Sequence, residues 1–278
     1  MKKQTFIFIF ILGLFFISLK PAYAQKGKIL IVVSSAEKIT LKNKKVKKSG
    51  LFLNQLAMVT DLLKKRDFSY TLVSPLGNNI KIDPISDNPK LFNDKKEYLY
   101  YKNFFEKNLK NKKTMPIKSI LSVIDDYSGL IILGGFTALE DLPTNKDLGF
   151  ITSYFYGNKK IVGALAEGVM GLVSTMRNPD NFMKYALINN YQFALNYSSD
   201  WSFRKHKITI VTKDEIKDLL KDEYKYEPFK VLSYGQVFFV TSMYRESNVV
   251  IDENLITAQN NKSIESFIKR FVNNLAKK

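Results

Sequence analysis

The sequence of 278 residues contains no cysteine. That excludes disulfides, zinc–thiolate and iron–sulfur sites, and any thiol nucleophile. Histidine occurs once, at His206, and no metal-ligating spacing of His, Asp and Glu appears. No metal or other cofactor is therefore expected. Arginine is scarce: it supplies 5 of the 43 basic residues, leaving 38 Lys beside 22 Asn. Proteins that read phosphates usually invest in arginine, whose planar fork binds bidentately, so no nucleic-acid partner is expected. Against 26 acidic residues the formal net charge is +17. Two readings of that charge stand. It could attract the chain weakly to an anionic envelope, or it could be a solvated lysine surface that follows from AT-rich coding, since lysine and asparagine are raised together. Hydrophobic residues make up 45% and charged residues 25%, the balance of an ordinary globular protein. This length can bury a sizeable core without disulfides or metals.

Long apolar runs are confined to the start. Lys2 and Lys3 precede an uncharged apolar run over residues 6–19, Lys20 and Pro21 break it, and Ala22-Tyr23-Ala24 follows. A basic start, a short apolar stretch and a small-x-small end describe a signal peptide over residues 1–24. The run of 14 residues is short of the roughly 20 that a permanent membrane helix needs. The expectation is an exported chain, periplasmic or secreted, that begins at Gln25 and carries a formal charge of +14 once three lysines are removed.

Beyond that segment strands and helices alternate. Residues 28–35 (KILIVVSS) form a β-branched apolar run suited to a buried parallel strand, and residues 50–66 have helical periodicity with basic residues at the end. Further strands are expected at 70–74, 130–133 and 160–165, and helices at 146–156 and after Gly168. Later come strands at 207–211, 237–242 and 248–251, a short helix at 213–221 and a closing helix at 263–275. The aromatic and charged stretch 92–109, inside a long insertion at about 78–118, reads as a lid helix that packs its aromatics onto the body. Such alternation implies a parallel sheet covered on both faces, with ligands beyond the carboxyl ends of its strands. That places Ser34, Ser35, Gly134, Gly135, Ala166 and Glu167 near one edge. There is no internal repeat and no low-complexity linker, so residues 25–278 are expected to form a single domain.

Four stretches carry a resemblance. They are residues 28–38 (KILIVVSSAEK) with 49–57 (SGLFLNQLA), residues 70–86 (YTLVSPLGNNIKIDPIS), residues 127–142 (YSGLIILGGFTALEDL) with 159–172 (KKIVGALAEGVMGL), and residues 249–263 (VVIDENLITAQNNKS). In this order they resemble the ThiJ/PfpI family of the class I glutamine amidotransferase-like superfamily, nearest its larger chaperone and glyoxalase members. The resemblance implies an α/β fold, a flavodoxin-like three-layer sandwich with a mostly parallel central sheet, frequently assembled as a homodimer. It also implies a nucleophile elbow after the strand at 160–165, a sharp strand-to-helix turn that presents a reactive side chain to helix amides. In the family that residue is a cysteine, followed by a histidine and assisted by a glutamate from the first helix. Here Ala166, Glu167 and Gln55 stand at those positions. Gly134-Gly135 of the oxyanion strip remain, while Leu133, Phe136 and Thr137 replace the usual Pro, His and Gly.

An alanine methyl cannot attack a carbonyl. The expected function is therefore a non-catalytic, exported binding or chaperone-like module, a pseudoenzyme whose ligand is a small molecule or a protein. Its candidate binding residues are Ser35, Gly134, Gly135, Phe136, Glu167 and Gly168. The alternative is a glyoxalase-, deglycase- or hydrolase-like enzyme rebuilt around Glu167 as general base. As a simpler reading, the Glu167 carboxylate caps the amide end of the next helix. Ser34 and Ser35 have no histidine to activate them, His206 lies in a basic surface loop, and Asp125-Asp126 reads as a turn or helix end.

Overall fold

In a computed structural model the chain is described over residues 26–221, 224–243 and 246–277. The expected signal peptide lies outside these residues. Eleven strands and nine α-helices are defined among them. In chain order they are β1 (Gly27–Val32), the hairpin β2 (Lys38–Thr40) and β3 (Val46–Lys48), α1 (Leu53–Lys64), β4 (Phe68–Ser74), α2 (Lys95–Asn108), β5 (Met115–Pro116) and β6 (Gly129–Ile132). Then follow α3 (Ala138–Asp141), α4 (Lys146–Gly157), β7 (Ile161–Leu165), α5 (Pro179–Leu187), α6 (Tyr191–Ser198), β8 (Lys207–Ile208) and α7 (Lys213–Leu220). The chain closes with α8 (Pro228–Ser233), β9 (Phe238–Phe239), β10 (Val249–Asp252), β11 (Leu255–Ala258) and α9 (Ile264–Leu275).

Seven strands form one sheet in the order β10-β11-β7-β6-β1-β4-β5. Every neighbouring pair is parallel except β10 with β11. This is the mostly parallel sheet that the alternation of elements implies, in the flavodoxin-like form that the resemblance implies. The residues of β6 and β7 are buried without exception, which explains why they are apolar on both faces rather than alternating. The chain first steps from β1 to β4 and β5, then crosses back to β6, β7 and β11. The loops at the carboxyl ends therefore diverge on either side of the β1/β6 boundary, where open α/β sheets bind ligands.

Helices cover the sheet. On α1, eleven of the twelve residues are buried, and the helix packs against both α2 and α9. On α2, Tyr98, Tyr101 and Phe105 face inward, with Phe92 stacked 6.4 Å from Tyr101, so the aromatics of the insertion pack on the body as their spacing suggests. Asparagine, aspartate or threonine caps several helices: Asp94 for α2, Asn145 for α4, Asn178 for α5, Asn190 for α6, and Thr212 with Glu215 in a full capping box for α7. Each satisfies amides left open at a helix start.

Three readings of the sequence need correction. The stretches 207–211 and 237–242 yield only the two-residue pair β8 and β9, outside the main sheet. The segment after β7 is a 3-10 helix, Ala166–Thr175, that begins at Ala166 itself rather than beyond Gly168. Third, His206 is half-buried rather than on the surface. Its Nε2 lies 2.6 Å from the Tyr156 hydroxyl, and its ring packs edge-on against Phe203.

The central strands and α9 meet through a glycine. A methyl group on Gly163 would lie 2.7 Å from Phe267 Cζ and 3.0 Å from the Phe271 ring. Gly163→Ala should therefore destabilise the chain by about 1–3 kcal/mol, the cost of overpacking a filled core. Gly157→Ala, where nothing lies within 4 Å, should change stability by less than about 0.5 kcal/mol. Urea melts of the two variants check this contrast.

Candidate functional site

The carboxyl ends of β6 and β7 lie side by side, and the turns leaving them touch. Ala166, the first residue after β7, has a φ of +50°. That left-handed backbone costs an L-residue on the order of 1 kcal/mol, and it persists only where the surroundings over-determine it. The turn sends Glu167 back towards the loop after β6. A Cβ on Gly134 would lie 2.7 Å from Glu167 Oε2 and 2.7 Å from the Leu165 carbonyl oxygen, so only glycine allows the two turns to approach this closely.

Both amides of the glycine strip are taken by side chains. The Gly135 N–H donates to Glu167 Oε2 at 2.8 Å. The Gly134 N–H donates to Gln55 Oε1, also at 2.8 Å. On its other side Gln55 donates from Nε2 to Asn261 Oδ1 at 3.2 Å. Both side chains are almost wholly buried. Burial drives the Glu167 carboxyl above its ordinary range, and the nearby Glu215 adds to that; the Gly135 amide, its own amide and Gln55 oppose the rise. A glutamine suits position 55, because it accepts from Gly134 without placing a second carboxylate beside Glu167.

These three residues form the floor of a cleft. Phe52, Leu91, Val211 and Leu219 supply its apolar walls, Glu215 and Asn260 its inner polar lining, and Lys90, Asp218 and Lys262 its exposed rim. Glu215 accepts from the Thr212 amide at 2.8 Å, and Asn260 Nδ2 donates to its other oxygen. The polar lining is thus held rigid by its own bonds.

The remaining candidates are dispersed. Ser35 lies in a separate recess with Asn78 and Thr114; its amide donates to Asp141 Oδ2 at 2.7 Å and its hydroxyl accepts from the Leu76 amide at 2.8 Å. Ser34 donates to the Thr137 carbonyl. Phe136 is buried and packs edge-on against Phe52, with ring centroids 5.2 Å apart. Gly168 is pressed against the backbone of Ile132. Asp125 and Asp126 end a 3-10 helix. Of the six binding candidates only Glu167 lines the cleft. The sequence reading passed over its α7 wall and its Asn260–Lys262 rim. The capping signature of Thr212 and Glu215 marks that helix, but no local pattern says where it docks. Among the described residues, no group of three or more His, Asp or Glu could hold a metal ion.

Solved structures with this architecture are numerous. The Francisella tularensis Rapid Encystment Protein 24 KDa superposes with a TM-score of 0.72 at 23% identity, covering 90% of this chain and 99% of that one. Glyoxalase III of Candida albicans gives 0.68 at 17% identity, covering 90% and 97%. A ThiJ/PfpI domain protein of Brachyspira murdochii gives 0.53 at 13% identity, again covering 90% and 97%. The fold is that of the ThiJ/PfpI proteins. In sequence, a glutathione-independent glyoxalase of Schizosaccharomyces pombe is 28% identical over 142 residues, a match spanning 49% of this chain and 55% of that protein. No family model matches the chain. On the ThiJ/PfpI fold, Ala166 occupies the strand-to-helix turn where the sequence resemblance expects the nucleophile. Gln55 stands on α1 where the resemblance expects a carboxylate, and Glu167 puts a carboxylate on the turn itself.

Two acids of this region, the buried Glu167 and the half-buried Asp141, set a pH dependence. Burial raises Asp141 to about 6, and Glu167 is displaced in the same direction. A carboxyl whose folded-state pKa is raised contributes stability that is complete below its unfolded value, near 4, and fades as pH climbs through the folded value. Stability should therefore fall between about pH 4 and pH 6, with Asp141 a principal source. Denaturant melts across that window should show a shallower fall for Asp141→Asn than for the parent. Equal slopes would contradict this.

Proposed function

We propose that this chain is an exported, non-catalytic relative of the ThiJ/PfpI proteins that uses the cleft above Ala166 to bind a small molecule or a protein segment. The observation that carries the reading is the elbow itself. The strained turn that would lift a nucleophile is built in full around a methyl group, which can neither attack nor transfer a proton. The donors that would stabilise an oxyanion are already engaged by Glu167 and Gln55. Apolar walls and a charged rim suit ligand binding. The export half of the proposal draws on the basic start, short apolar run and Ala22-Tyr23-Ala24 of the sequence. Edman sequencing of protein from the native host should begin at Gln25; an intact Met1 chain in the membrane fraction would contradict it.

One observation favours an enzyme instead. Burial pushes the Glu167 carboxyl above its usual range, the direction a general acid needs. A glyoxalase assay separates the two readings. The parent should turn over no methylglyoxal, because the cysteine route that the resemblance implies needs a nucleophile that Ala166 lacks. The triple replacement Gln55→Glu, Ala166→Cys and Glu167→His should carry a thiol titrating below the ~8.5 of a free cysteine, and gain measurable turnover. Turnover by the parent that is lost in Glu167→Gln would overturn the non-catalytic reading.

A further inference from the structure

Six lysines crowd the β2–β3 hairpin, away from the cleft. Lys38, Lys42, Lys44, Lys45, Lys47 and Lys48 fall within eleven residues, and all six are exposed. No acidic residue occurs between Glu37 and Asp61. Among the described residues none of the six makes an ion pair. The hairpin is costly in its own terms. Lys38 sits directly opposite Lys48 in the antiparallel register, a like-charge pairing that weakens a ladder, and Lys44 takes a left-handed φ of +64°, which a lysine adopts at a cost.

The hairpin is nevertheless firmly held. Ile39 and Leu41 are buried, the Thr40 amide donates to Glu140 at 2.7 Å, and Leu41 bridges to Tyr224. That bridge joins it to a groove bearing Lys42, Lys213, Lys225 and Lys230. Glu227 and Glu140 face Lys213 and Lys225 there, at 3.9 and 3.5 Å, whereas Lys42 of the hairpin and Lys230 make no ion pair among the described residues. Between Lys45 and Lys47, Val46 projects into solvent at 62% exposure.

We infer that this hairpin is a docking surface for an anionic lipid bilayer. Three features fit that partner. Its cations are all lysine, compact point charges suited to a diffuse layer of negative headgroups rather than to bidentate recognition of single phosphates. Residues 37–48 contain no aromatic side chain or arginine, which removes the stacking that single-stranded nucleic acid uses. The aliphatic Val46 inside the lysine ring can enter the headgroup region while the ammonium groups stay at its surface. The surface is separate from the cleft, and the inference stands whether or not the cleft binds a ligand.

The absence of cysteine makes the test direct, because Val46→Cys supplies the only thiol of the full chain for an environment-sensitive fluorophore. Its emission should shift to the blue on vesicles of three parts phosphatidylcholine to one part phosphatidylglycerol, and stay unchanged on pure phosphatidylcholine. Each lysine near an anionic surface strengthens binding about fivefold. Adding Lys44→Gln, Lys45→Gln and Lys47→Gln should therefore raise the lipid concentration at half-shift about a hundredfold. Lys95→Gln, Lys96→Gln and Lys107→Gln, exposed on α2, should leave it unchanged. Because the probe reports the hairpin alone, insertion of the apolar N-terminal run cannot mimic the signal. An equal shift on pure phosphatidylcholine, no shift on the anionic vesicles, or a shift that survives the hairpin substitutions would each overturn the inference. So would a shift given by single-stranded RNA or an acidic peptide but not by vesicles.

Discussion

A carboxylate on the first residue beyond a left-handed turn holds two strand ends together. Ala166 bends the chain so sharply that Glu167 reaches the amide of Gly135. Gly134 must then lack a side chain to admit both the Leu165 carbonyl and that carboxylate. Gln55 completes the arrangement from α1 by accepting from Gly134 and donating to Asn261. Four separate stretches of chain, after β6, after β7, on α1 and before α9, are fixed at one point by bonds that water cannot easily replace. A buried acceptor paired with a buried donor costs little, but removing either leaves the other unsatisfied at about 1–3 kcal/mol. The left-handed turn survives at an alanine because its neighbours on every side require it.

The same bonds decide what the site can do. An elbow of this kind makes sense mechanically when a nucleophile sits on it and free amides await an oxyanion. Here Ala166 stands on the turn, and Glu167 and Gln55 accept from the amides of Gly135 and Gly134. What the geometry leaves accessible lies above that floor: apolar walls from Phe52, Leu91, Val211 and Leu219, and a rim of mixed charge. Such a cleft can recognise shape and polarity. On its floor Glu167 carries the ionisable group, and its Oε2 is held by the Gly135 amide.

Much of this frame is legible in the sequence for physical reasons. Strands β1, β6 and β7 are covered on both faces, so their sequences are short, largely apolar runs, followed by Ser34-Ser35 after β1 and Gly134-Gly135 after β6, and runs of that type announce themselves. Helices α1 and α2 show their buried faces as helical periodicity. The sharp turn after β7 is legible in the ALAEG stretch (164–168), where Ala166 takes a φ of +50°. Its closure was not visible, because Gln55 meets Gly134 across 79 residues and Glu167 meets Gly135 across 32. Neither pairing leaves a local pattern. The 207–211 and 237–242 stretches show the opposite failure: their apolar content reads as strand, yet they pair with each other over only two residues, and the Thr209 amide turns to the Thr257 hydroxyl instead. Phe238 and Val240 stay exposed, while Phe239 stacks on Phe229 of α8 with ring centroids 3.8 Å apart. Serines 34 and 35 were rightly placed at a strand end but serve the loops around them.

The central claim is that Glu167 and Gln55 close the glycine strip from within. Amide proton NMR on the isotopically labelled chain addresses it directly. The account predicts that the Gly134 and Gly135 amides exchange slowly with solvent, and that the Gly135 amide shift titrates with a midpoint above the ordinary glutamate range of about 4.3. That titration should vanish in Glu167→Gln while Gly134 remains protected. Rapid exchange of both amides, or a Gly135 shift indifferent to both pH and Glu167→Gln, would contradict it.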